Sequence, residues 1–183
     1  MAVQNKLYTV EEFEAFLREP DNRDRLFELV NGEIVEKMVT FEHSVIALAF
    51  GAKLYNYLEQ NPIGRAGVEG AFRPTEDRRN VRLPDISIVL GLDKPVTRVG
   101  STPYMPDIAV EIQSPTDSPK DMRDKADFYL ASGVRAVVLV YTPKRIVEVL
   151  TPDSRDLLNA DDTLTLDLLP DFALLIAALF QNV

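Results

Sequence analysis

Two apolar runs with a helical stretch between them restrict the folds open to this chain. Pro106 to Gln113 (PDIAVEIQ) and Val134 to Tyr141 (VRAVVLVY) read as strands. The second is almost continuously apolar, as expected of a strand covered on both faces rather than one. Between them, Asp117 to Ser132 carries Met122, Ala126, Tyr129 and Leu130 at helical spacing, and Gly133 suits a C-terminal cap. A helix joining two inner strands suggests a crossover, and hence an α/β fold with a covered sheet.

The flanking segments extend that frame. Val10 to Leu17 (VEEFEAFL) spaces Val10, Phe13, Phe16 and Leu17 as a short amphipathic helix, with Thr9 placed to cap it. Leu26 to Met38 (LFELVNGEIVEKM) has two alternating runs joined by Asn31-Gly32, the preferred pair for a type I′ turn, and so predicts a β-hairpin. From Glu42 to Gln60 the apolar positions recur at helical spacing until Asn61-Pro62 stops them. Strands are then expected at about Ala66 to Pro74, Leu83 to Leu90 and Pro106 to Gln113. Ile146 to Leu150 alternates like an edge strand, Thr163 to Leu168 is strand-like, and Phe172 to Phe180 is helix-like. No repeat or long linker divides the chain, so residues 1–183 are expected to form a single α/β (α+β mixed sheet) domain.

Composition removes several functions. With no cysteine and a single histidine, His43, neither a thiolate zinc site nor a multi-histidine cluster can form, so any metal must be held mainly by oxygen. The first ten residues lack the basic and apolar segments of a signal peptide, and no apolar stretch approaches the roughly 20 residues of a membrane helix. A cytoplasmic location is the expectation. A net charge of −9 is an unfavourable field for a polyanion, unless basic residues such as Arg73, Arg78, Arg79 and Arg82 gather into a contact patch.

Chemistry points to carboxylates. Pro84-Asp85 opens one inner strand and Asp107 the next, with Glu111 and Gln113 following on the face that strand alternation assigns to both. A carboxylate inside so apolar a strand requires a partner: a salt bridge, backbone hydrogen bonds or a metal. Asp85 alone could be a turn former. Two carboxylates converging from adjacent strands would suit Mg²⁺ or Mn²⁺, which could acidify a bound water and neutralise charge on a phosphate. On the following helix Asp121, Lys125 and Tyr129 form one stripe. Lys125 could turn back to the carboxylates, or form a surface pair with Asp121 while Tyr129 packs beside it.

At these residues the chain resembles the Uma-two-like proteins, also called domain-of-unknown-function family 820, within the PD-(D/E)XK nuclease superfamily. The likeness is carried by LFELVNGEIVE, His43, LPDISIV, PDIAVEIQSPTDSPKDMRDKADFYLASGV, VRAVVLVY and LLPDFALLIAALF. It implies a restriction-endonuclease-like core of helix, three strands, helix and strand, preceded by the N-terminal helix and hairpin. It implies that Asp85 and Glu111 ligate the metal. The superfamily's lysine would stand two residues after Glu111, where this chain has Gln113. Lys125 is then its candidate replacement, with Gln113 helping to orient water or phosphate. Glu28, Glu33 and His43 match recurring positions and could add a ligand or a proton-transfer group.

The expectation is a Mg²⁺- or Mn²⁺-dependent DNA endonuclease acting as a homodimer. The alternative is a non-catalytic nucleic-acid-binding or regulatory protein that keeps the fold, which Gln113 and the acidic charge favour. A small-molecule hydrolase with an enclosed pocket is a third reading.

Overall fold

A computed structural model of the protein describes residues 6–183. The chain divides into two compact units. One contains the chain up to Met38 together with Gly70–Leu83 and Val96–Met105, and the other contains Val39–Glu69, Pro84–Pro95 and Pro106–Val183.

The first unit begins with helix α1 (Val10–Leu17), where Thr9 and Glu12 form a reciprocal capping box that satisfies two otherwise orphaned donors. Strands β1 (Phe27–Val30) and β2 (Glu33–Glu36) pair antiparallel around Asn31 and Gly32. Both turn residues have positive φ, 52° and 87°, the backbone that a two-residue type I′ hairpin demands. Val10, Phe13, Phe27, Leu29, Val81 and Leu83 make its core. The four arginines of the envisaged patch all lie in this unit, with Arg78 and Arg79 exposed, Arg73 half-buried and Arg82 buried. Arg82 is buried against Glu28, 3.5 Å away, and Arg78 pairs with Glu11 at 3.0 Å. Each is drawn to a carboxylate of its own unit.

The second unit is built on helix α2 (Phe41–Gln60), strands β3 (Gly64–Val68), β4 (Ile86–Leu90) and β5 (Ile108–Ile112), helix α3 (Pro119–Ala131) and strand β6 (Ala136–Tyr141). Strands β7 (Ile146–Leu150) and β8 (Arg155–Leu158) complete a six-stranded sheet in the order β3-β4-β5-β6-β7-β8. Only β5 and β6 run parallel, joined by α3, while the other neighbours are antiparallel. This is the mixed sheet expected, with its helix, three strands, helix and strand in order.

Local signals account for the helix ends. Thr40 caps α2 through the His43 N–H. Ser118 and Asp121 form a capping box on α3, Pro119 takes its first position, and Gly133 at φ +92° lets the chain turn away. On α2, Ile46, Phe50, Leu54 and Leu58 recur every four residues and pack on Ile108, Val110 and Ile112 of β5 and their neighbours across the sheet. Each such buried side chain contributes about 1.5–3 kcal/mol. Strand alternation therefore turns Ala109 and Glu111 to the other face, where α3 buries Met122, Ala126 and Tyr129.

Three expectations need correction. β7 is not an edge, because the short and mostly exposed β8 pairs outside it. The tail segment from Phe172 is extended rather than helical up to Leu175: strand β10 (Leu169–Leu175) pairs with β9 (Thr163–Leu166), and only Ile176–Phe180 forms a 3₁₀ helix. Phe172, Leu174 and Ile176 are buried alternately, so the cross-strand partner decided between two periods that the apolar spacing allowed. β3 starts earlier and stops at Val68, since Glu69 adopts φ +50° and breaks the extended run. Among the described residues no helix is long and apolar enough to cross a membrane.

Candidate active site

The register of β4 on β5 pairs Ile86 with Val110. One further antiparallel step sets Asp85 across from Glu111, on the same face of the sheet. Both are almost fully buried, at 2% and 1% exposure. Ionised groups so enclosed must be compensated. Asp85 Oδ2 accepts the Ile112 N–H at 2.6 Å and lies 3.0 Å from His43 Nε2. His43, itself buried, reaches it from the first turn of α2.

Glu111 is held from α3. Its Oε1 accepts the Tyr129 hydroxyl at 2.7 Å, and Lys125 Nζ stands 3.4 Å from Oε2. Lys125 is also 3.4 Å from Asp117 Oδ1. Asp121, the alternative partner, instead accepts from the Ser118 backbone and hydroxyl at the helix start. Four residues of helix separate Lys125 from Tyr129, so both face the strand from one stripe, and the lysine is turned inward rather than lying along the surface.

Asp117 is a residue that the sequence reading missed. Its Oδ2 accepts from the Ser114 N–H at 3.0 Å and the Ser114 hydroxyl at 2.7 Å, which makes it look like an ordinary turn former in the Ser114–Asp117 segment. Asp117 precedes the helix cap Ser118, so its approach to Lys125, eight residues on, is set by the turn and not by helical spacing.

The remaining candidates are placed differently. Gln113 spends its amide on the Asp117 carbonyl, 2.8 Å away, and so ties down the turn leading to α3. Asp107 lies four residues before Glu111, about 13 Å along the strand at ~3.3 Å per residue. There its carboxylate accepts from the Leu90 N–H and pairs with Lys94, both near 3 Å, with Arg135 at 3.6 Å. That is a structural ion cluster at the opposite strand end. In the first unit, Glu28 accepts the Leu83 N–H at 2.7 Å and Lys37 donates to the Leu83 carbonyl at 2.6 Å, so the hairpin holds both polar groups of that residue. Glu33 is exposed at the start of β2.

The donor set suits a hard divalent ion. Among the described residues no group of three or more His, Cys, Asp or Glu side chains is arranged to hold a metal. An ion at Asp85 and Glu111 would rest on two carboxylates, with water and phosphate oxygens completing its shell. That is a common mode for Mg²⁺, which sheds its waters reluctantly.

Comparison with other proteins agrees with this fold. The sequence model of the Uma2 family, described as "Putative restriction endonuclease", matches residues 10–177. Among solved structures, a crystal structure of "a putative nuclease belonging to DUF820" from Anabaena variabilis is similar, with a TM-score of 0.78 over 94% of this chain and 97% of that one. Sequence identity is 22%, so the likeness is one of fold. No curated protein matches the chain.

Proposed function

Because the chain belongs to the Uma2 family, we propose that it is a metal-dependent DNA endonuclease in which Asp85 and Glu111 hold Mg²⁺ or Mn²⁺ and Lys125 is the cationic group of the site. The observation that carries this reading is the 3.4 Å approach of Lys125 Nζ to the buried Glu111 carboxylate. A lysine on the next helix thereby reaches the ground that Gln113 leaves without a cation. The bound ion would supply Lewis-acid stabilisation of the phosphate and a more acidic attacking water.

The chain's own residues do the rest. Tyr129 holds one oxygen of Glu111 and so fixes the plane of the carboxylate. His43 and the Ile112 N–H do the same for Asp85. Lys125, shared between Glu111 and Asp117, places an ammonium where it can hold a water or a phosphate oxygen. Cutting both strands of a duplex is simplest with two copies of the site, which supports a homodimer.

A second reading, a nucleic-acid-binding protein without turnover, is favoured by Gln113, whose amide is tied to the Asp117 carbonyl. The experiment is cleavage of supercoiled and linear DNA with Mg²⁺ or Mn²⁺ by the native protein, Glu111→Ala and Lys125→Ala. Cutting that is lost in both variants is the expected result. A well-folded native protein that neither cuts nor binds metal would move the assignment to the second reading.

A further inference from the structure

Glu111 has a counterpart two strands away. The register runs Glu111 to Leu139 on β6 and Leu139 to Glu148 on β7, so both glutamates occupy one row and one face of the sheet. Glu148 is 6% exposed, and it too accepts a tyrosine hydroxyl at 2.7 Å, from Tyr141. Arg155 of β8 donates to its other oxygen through Nε. Burial pushes the Glu148 carboxyl up, yet the Arg155 and Tyr141 hydrogen bonds outweigh it and keep the group below the ordinary carboxylate range. Nothing in the proposed cleavage uses this ion pair.

Beside it opens a cleft of about 350 Å³ whose lining includes Pro119, Arg123, Tyr141, Lys144, Glu148 and Arg155. Three cations thus gather on a chain whose net charge is −9. Against them stand Glu148 and, acting on Arg155 electrostatically, Asp127. With Nε spent on Glu148, Arg155 is anchored in one orientation and its two Nη groups are left for a ligand. Arg123 and Lys125 are two residues apart on α3, roughly 200° around the helix. One therefore faces Glu148 while the other faces Glu111.

We propose that this cleft is a second phosphate-binding subsite, in which Arg123, Lys144 and Arg155 take a backbone phosphate of a nucleic acid strand on the opposite side of α3 from Glu111. A planar guanidinium suits a phosphate's paired oxygens, and Lys144 adds a mobile point charge from the 3₁₀ turn after β6. β5 and β7 are two strand spacings apart, about 10 Å, so a nucleic acid strand crossing the site would also pass the cleft. Glu148 and Tyr141 are positioning residues that hold Arg155. That the phosphate belongs to a nucleic acid rests on the endonuclease reading; that the cleft takes phosphate does not.

The test is binding without chemistry. A fluorescently labelled oligonucleotide is titrated in EDTA, over a range of salt, against the native protein, Arg123→Ala/Lys144→Ala, and a control of equal charge change, Lys53→Ala/Arg98→Ala. Inorganic pyrophosphate is titrated in parallel by calorimetry. All four side chains are exposed, and an unchanged melting temperature confirms the fold. The cleft variant should bind the oligonucleotide at least about tenfold more weakly and lose about one from the slope of log affinity against log salt, for the one phosphate contact, while the control stays near native. Pyrophosphate binding that is lost in the cleft variant, without oligonucleotide binding by any form, would keep the subsite and sink the nucleic acid reading. Oligonucleotide affinity equal in the cleft variant and the control, or no binding of either ligand by the native protein, would overturn the subsite.

Discussion

Replacing Tyr129 by Phe tests the claim that the buried Glu111 is held from the helix. The tyrosine is 1% exposed and its hydroxyl donates at 2.7 Å to a carboxylate that is also 1% exposed. Phenylalanine keeps the ring and its edge contact with Phe128, 6.0 Å between centroids, so the substitution deletes one donor and little else. A hydrogen bond to a charged group contributes about 1.5–3 kcal/mol, and burial leaves no room for water to replace it. The expected loss is therefore ~2 kcal/mol. At ~2–4 °C per kcal/mol for a chain of this size, the melting temperature should fall by about 4–8 °C. In a Glu111→Gln background the same change should cost only about 1 kcal/mol, because the lost bond is then neutral. Thermal unfolding followed by circular dichroism reads all four proteins of the cycle. A Tyr129→Phe protein that melts within a degree of native would refute the reasoning, and so would an equal cost in both backgrounds.

Further outcomes follow from other parts of the structure. Gly32→Ala should destabilise by about 1–2 kcal/mol, since φ is +87° and a Cβ there would sit 3.1 Å from Leu7 Cβ and 3.2 Å from the Tyr8 carbonyl; an unchanged urea midpoint would count against the type I′ turn. Ser118→Ala removes the hydroxyl that caps α3 and should cost about 1 kcal/mol in urea unfolding; no change would mean that the capping box adds nothing. Burial, followed by the hydrogen bond to Glu148, pushes the Tyr141 hydroxyl up to about 12 from 10.0. The unfolded chain gives up that proton first, so the stabilisation is complete below pH 10 and is lost as the pH rises towards 12. Tyr141→Phe should flatten this alkaline decline; parallel curves for the two proteins would show that the hydroxyl does not cause it.

Much of the site was legible from local rules. Glu111 in an apolar strand demanded compensation whatever the fold, and it is compensated. Alternation set Asp107 and Glu111 on one face, but the distance along the strand separates them into two clusters. Glu148 looked like the polar position of an edge strand. It became a buried ion pair because β8, short and polar at its start, pairs along the edge of β7 and brings Arg155 to it.

The amino-acid sequence by itself determined the elements whose signals lie within a few residues: the capped helices at Thr9 and Ser118, the Asn31-Gly32 turn, and the fully covered strand from Ala136 to Tyr141. These are settled by local hydrogen bonds, backbone sterics and the fraction of a strand that is apolar. Tertiary structure alone decided which way Lys125 points, whether the tail from Phe172 is strand or helix, and which acids end up beside which cations. Those outcomes depend on partners distant in sequence, where the free energy of pairing appears only after the chain has closed the loops between them.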